Sequence, residues 1–180
     1  MHALILLALT LVRVIPLEGE THHVQGIAVD GQRLWVTSVD RAAQKGWLFE
    51  YELETGKRVL AVEVQQGAMY HPGGFDQDEE SLWIPVAEYR PEGRSVIQRR
   101  SKETLEVMGA FETADHIGAL AVLPDGLLAV NWDARQFHFY SRDGKLLWSR
   151  PNPNGTRYQD MKRSYGSIAA AGLLGRGEAA

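Results

Sequence analysis

Six residues at repeated spacing carry the chemistry that this sequence could perform. His23, His71 and His116 stand 48 and 45 residues apart, and Asp40, Glu88 and Asp133 keep the same two offsets. Three imidazoles can bind zinc and leave a fourth position open for water. A nearby carboxylate can orient an imidazole through its other ring nitrogen or serve as a general base. Carboxylates and carbonyls could instead hold calcium. Either divalent metal would permit metal-assisted hydrolysis of an ester or lactone. A structural reading competes: a residue recurring in every repeat answers a recurring packing problem, and a strand-start His can bond to a neighbouring acid. A further unit opens at Tyr158, with Gln159 and Asp160 after it, so that Tyr158 takes the histidine's place and breaks the pattern.

The elements that must position these residues repeat with them. HHVQGIAVDGQRLWVTSVD from His22, YHPGGFDQDEESLWIPVAE from Tyr70 and DHIGALAVLPDGLLAVNWD from Asp115 share one layout. A Gly or small residue follows the His by two or three positions (Gly26, Gly74, Gly118, Ala119), then an apolar strand, a turn and a second apolar strand that ends in the acid. Trp35 and Trp83 recur at the same offset of 48 and read as packing between repeats. Third and fourth strands follow. Trp47, Phe49 and Tyr51 alternate with Leu48, Glu50 and Glu52, a period of two that predicts a strand with one buried face. Asp143-Gly144 is a strong hairpin signal. Adjacent strands of such a unit run antiparallel, so the repeated His and the repeated acid share one end of it.

Four antiparallel strands every 45 to 48 residues is the arithmetic of a propeller blade. The expected fold is therefore all-β, a β-propeller of about three complete four-stranded blades (22–64, 70–112, 115–149) with partial blades at both ends, an incomplete ring. Val12 to Leu17 reads as the outer strand of a preceding blade, and 158–165 as the start of a following one. The Gly- and Ala-rich stretch 166–180 reads as a frayed tail. Since propellers have four to eight blades, two expectations follow: a truncated version of a longer chain, or a homodimer whose second copy supplies the missing blades.

Composition narrows the function classes. Hydrophobic residues make up 44% and charged residues 23% of 180, as in an ordinary folded domain. With 19 basic and 23 acidic side chains, the net charge of −4 argues against nucleic acid as a partner. There is no cysteine, hence no thiol nucleophile and no cysteine-bound metal. The run Ala3 to Leu9 is too short to span a bilayer and suits the apolar core of a signal peptide, so 1–12 reads as a candidate export signal and the setting as extracytoplasmic. His22 and His138 are expected to face solvent.

THHVQGIAVDGQRLWVTSVD, YHPGGFD and DHIGALAV resemble an uncharacterised bacterial family of secreted-type six-bladed propellers, broadly similar to the gluconolactonase-like and NHL-repeat proteins. The resemblance covers roughly residues 12 to 165 and carries no activity with it. The recurring Trp-Asp pair of WD repeats is missing, since Trp132-Asp133 occurs alone. The resemblance implies that the first strand of each blade lines a central channel, which would put His23, His71, His116 and Tyr158 around its mouth, with Asp40, Glu88, Asp133 and Asp160 close by. The expected role is binding of a small molecule or a protein at that mouth, with the hydrolase and the non-functional fragment as alternatives.

Overall fold

The computed structural model describes residues 11–174. The chain forms four antiparallel sheets, each built from consecutive strands. The first holds β1 (His23–Asp30), β2 (Arg33–Asp40), β3 (Lys45–Glu52) and β4 (Arg58–Glu63) in sequence order. In the second, β5 (Met69–Pro72) and the short β6 (Asp76–Gln77) both pair with β7 (Ser81–Glu88), followed by β8 (Ser95–Ser101) and β9 (Val107–Thr113). The third holds β10 (Ile117–Leu123), β11 (Gly126–Asn131), β12 (Gln136–Tyr140) and β13 (Leu146–Pro151), with a 3-10 turn at Trp132–Ala134. β14 (Thr156–Ser164) and β15 (Ser167–Leu174) make the fourth. Among the described residues no helix is long and apolar enough to cross a membrane.

The sheets stack face to face, so central strands are buried on both sides. β3 shows why one buried face was too few. Phe49 and Tyr51 pack with Val36 on one face, and Leu48 on the other joins Trp35, Phe75 and Leu82 in the core between the first two sheets. Glu50 is buried too, and Arg33 Nε donates to it at 2.7 Å. The next core, between the second and third sheets, gathers Trp83, Ile97, Leu120 and Leu127. The last gathers Ala119, Ala121, Val130 and Met161. Trp35 and Trp83 thus sit at corresponding places between neighbouring sheets, 1% and 3% exposed.

The first strands of the four sheets converge. β10 contacts β14 and β7, and β14 reaches across to β1. Two carboxylates tie these strands together. Asp76 is buried, and its Oδ2 accepts from Val122 N at 2.9 Å and from Arg163 N at 3.0 Å, joining three sheets. Asp160 Oδ2 accepts from Ile27 N at 3.3 Å, joining the fourth sheet to the first, and its Oδ1 takes a hydrogen bond from Lys162 Nζ. Burial pushes both carboxyls above the usual carboxylate range. Asp76→Ala should leave two buried N–H groups without an acceptor and destabilise the protein by about 2–4 kcal/mol, whereas Asp76→Asn keeps an acceptor and should lose less. Urea midpoints of the two variants check this, and equal losses would contradict it.

Three expectations are corrected. Residues 167–174 are not frayed. They form β15, paired with β14 over its whole length, because Tyr165 (φ 46°) and Gly166 (φ 79°) make a two-residue hairpin turn with both residues left-handed. Residues 175–180 lie outside the described residues. The segment expected as a preceding outer strand is not a strand: Leu17 packs on the Val36–Phe49–Tyr51 cluster, and Glu18 N donates to Gly56 O at 2.9 Å. Residues 1–10 of the candidate export signal lie outside the described residues. His22 and His138 do not point to open solvent. His22 stacks on Trp47 at 6.4 Å, and His138 is buried between Ser149 Oγ (2.7 Å) and Asp115 Oδ2 (3.0 Å).

Candidate functional site

Each first strand carries one residue too many for its partner. Register slips between Val24 and Gly26 in β1, Met69 and His71 in β5, Ile117 and Ala119 in β10, and Tyr158 and Asp160 in β14. The unmatched residues are Gln25, Tyr70, Gly118 and Gln159. A bulge of this kind bends a strand and re-aims its side chains. Gln25, Gly118 and Gln159 all line one recess where the four strands come together.

That recess has a volume of about 180 Å³. His23, His71, His116, Asp133 and Tyr158 line it, together with Arg41, Tyr89, Asn131 and Trp132. The rings form one wall: His71 lies 4.4 Å from Tyr89 and 5.3 Å from His116, and Trp132 meets His116 edge-on at 4.7 Å. The Arg41 guanidinium lies 4.9 Å over the Tyr89 ring. Trp132 and Asp133 are presented by the 3-10 turn, where Asp133 (φ 57°) and Ala134 (φ 52°) are both left-handed and Trp132 N donates to His116 O at 3.0 Å.

The other three acids are not in the lining. Asp40 Oδ1 accepts from Ala42 N and Ala43 N at 3.0 Å each, which makes it the cap of the turn after β2. Arg90 Nη2 approaches Glu88 Oε2 to 2.6 Å with Arg94 on the other oxygen, and the Arg90 hydrogen bond holds the Glu88 carboxyl below its usual range. Asp160 serves the inter-sheet bonds described above. The expected ring of acids is thus consumed by local turns and ion pairs, the cheapest partners for a strand-end carboxylate. The fourth unit also differs by one position. Counting back two residues from the bulge, Arg157 and not Tyr158 corresponds to His23 and His116, although Tyr158 still reaches the recess.

Burial keeps His71 and His116 neutral near pH 7. Burial pushes His71 down to about 3, helped by its neighbours His116, His23 and Arg41. Its Nδ1 is buried without a hydrogen-bond partner among the described residues. Burial also lowers His116, partly offset by the Arg90 carbonyl 3.0 Å from its Nδ1. That contact places the proton on Nδ1 and leaves Nε2 as an acceptor. His116 is thereby prepared as a single base or ligand nitrogen. The three histidines do not converge further: among the described residues no group of three or more His, Asp or Glu side chains is placed to hold a metal ion.

Arg41, Tyr89 and the bulge residues were missed at the sequence level. Arg41 and Tyr89 directly follow the repeated acids Asp40 and Glu88, which is the signal that could have marked them.

Sheets of successive antiparallel strands, stacked about converging first strands with a recess at their ends, define an arc of a β-propeller whose ring is not closed. The chain belongs to a family of unknown function, DUF6454, whose model matches residues 8–160. No curated protein sequence matches it. Solved structures share the fold at low identity. The WD40 domain of Neurospora crassa Pan2 is 14% identical with a TM-score of 0.59, over 84% of this chain and 44% of that one. The β-propeller domain of Myceliophteria thermophila Cps50 (Swd1) is 13% identical with a TM-score of 0.55, over 85% and 51%. The computationally designed protein Ika4 is 12% identical with a TM-score of 0.56, over 89% and 91%. The chain thus spans about half the length of the two natural propellers.

Proposed function

We propose that this chain is a binding module that holds a small molecule in the recess at the ends of its first strands. The observation that carries this reading is the construction of the recess: β1 and β14 each supply polar side chains, β5 supplies His71, and the third sheet supplies His116 just before β10 and Trp132 just after β11. A site assembled from four separate sheets is where propeller ligands are expected, and its aromatic wall with a few polar groups matches small-molecule sites generally. Its volume lies below the range of drug-sized pockets, which suits a ligand of a few heavy atoms.

Gly118 supplies the test. A Cβ there would meet nothing closer than Asn131 O at 3.5 Å, so a larger side chain can enter the recess without displacing backbone. A library of small neutral, cationic and anionic compounds screened by ligand-observed NMR should give binders whose signals vanish with Gly118→Leu. No binder, or binders indifferent to Gly118→Leu, would refute the reading.

A further inference from the structure

We infer that the recess takes a small oxyanion-bearing molecule, its carboxylate or phosphate group held by Arg41 and its carbon body against Tyr89 and Trp132. This rests on the binding reading above and names the ligand class.

The first argument is charge. Among the described residues Arg41 has no carboxylate within ion-pair distance, in a chain with more acids than bases. The acids near the mouth are already engaged. Asp40 caps its own turn, Glu88 sits between Arg90 and Arg94, and Asp115 is held by His138 and by Asn131 Nδ2 at 3.0 Å. Asp133 alone brings a carboxylate to the wall, and Arg157 stands 4.0 Å from it. With Asp133 facing Arg157, the Arg41 guanidinium is the unpaired charge of the lining among the described residues.

The second argument is the hydrogen-bond inventory. Among the described residues the side chains of His23, Gln25, Arg41, Tyr89 and Gln159 make no hydrogen bond to the rest of the chain, although all five line the recess. Imidazole, amide, guanidinium and phenol together offer a surplus of N–H and O–H donors, and Arg presents a fork that matches carboxylate and phosphate oxygens. His116 Nε2 and the Asp133 carboxylate are acceptors, and they suit a hydroxyl on the same molecule. The third argument is preorganisation: the Arg41 guanidinium carbon lies 4.9 Å from the Tyr89 ring centroid, a cation–π contact between two residues that both line the recess.

The experiment is calorimetric titration of the whole chain with four probes of similar size: succinate, inorganic phosphate, neutral succinamide and cationic putrescine. Succinate or phosphate should bind, more weakly as salt rises. Arg41→Gln should weaken that binding about tenfold to a hundredfold, the loss expected for a charge-assisted hydrogen bond. Succinate against phosphate identifies which oxyanion is preferred. If succinamide or putrescine binds as well as the anions, or if Arg41→Gln changes nothing while Gly118→Leu abolishes binding, the anion assignment fails and the recess stands as a site of another class. If no probe binds and the library screen also gives no binder, both readings fail together. A matched thermal midpoint for Arg41→Gln and the wild type shows that any loss is not unfolding.

Discussion

Between pH 7 and pH 4 the wild-type protein will lose stability along a slope that His71→Gln makes shallower. The physical cause is the buried neutral imidazole. In the folded chain His71 is pushed from 6.5 down to about 3, first by burial and then by His116, His23 and Arg41. The unfolded chain binds a proton near 6.5 that the folded chain refuses until about 3. Acid therefore favours unfolding across that window, with a limiting slope of about 1.4 kcal/mol per pH unit for one such group. The contribution is fully present above the unfolded value and lost progressively below it.

Other groups modulate this slope. Those that face His71 are His23 from β1, Arg41 from the turn after β2, Tyr89 after β7, and His116 and Trp132 on either side of β10 and β11, with Asp133 beside them. His116 is lowered by burial and acts in the same direction. Asp76 and Asp160 are raised by burial and act in the opposite direction, since the folded chain takes up their protons first. Glu88 and Asp115 are held low, so their loss adds only at more acid pH. Urea unfolding at pH 7, 6, 5 and 4 separates these contributions. Parallel pH curves for wild type and His71→Gln would show that the imidazole is not the acid-sensitive element.

Substitution at Gly73 or Gly74 will damage the fold more than substitution at Gly118, although all three are strand-associated glycines of one repeat family. A Cβ on Gly73 would lie 2.2 Å from Gly118 O, and one on Gly74 would lie 2.4 Å from Gln159 O. Both obstacles are backbone, which cannot rotate away as a side chain can. Gly74 is also the point where sheets join, for its N donates to Gly118 O at 2.9 Å and its O accepts from Leu120 N at 3.1 Å. Gly73→Ala and Gly74→Ala should each cost about 3 kcal/mol, the upper end of overpacking effects. Gly118→Ala meets only ordinary contacts and should stay within about 0.5 kcal/mol. Chemical denaturation of the three variants ranks them, and a tolerant Gly74 would mean that the sheets can slide apart at this junction.

Much of the fold was legible because the physics that builds it is periodic. Sheets buried on both faces need apolar residues at fixed intervals, and the offset of 48 that aligns His23 with His71 also aligns Trp35 with Trp83. The glycines were legible as well: Gly26 and Gly74 approach closely enough that a Cβ on Gly26 would lie 2.9 Å from Gly74 Cα. The Ala-rich strand β15 was not legible, since alanine gives no strand signal and the Tyr165-Gly166 turn is recognisable only from its left-handed dihedrals. The partners of the acids were not legible either. A strand-end carboxylate reads the same whether it faces a channel or closes its own turn, and Asp40 and Glu88 take local partners that sequence spacing does not rank. His138 was misjudged because β12 is covered on the side where Asp115 reaches it.

The slipped register in the first strands separates two jobs within one short segment. Beyond the slip, side chains alternate in step with the sheet, and in β10 Ala119, Leu120, Ala121 and Val122 are committed to the cores between blades. The unmatched positions 25, 118 and 159 belong to neither face of that alternation, yet they border the recess. A frame of this kind can be re-specified at its mouth while its core is left alone. Randomising these three positions together would yield a panel of binders on one scaffold, much as hypervariable loops vary on a constant sandwich.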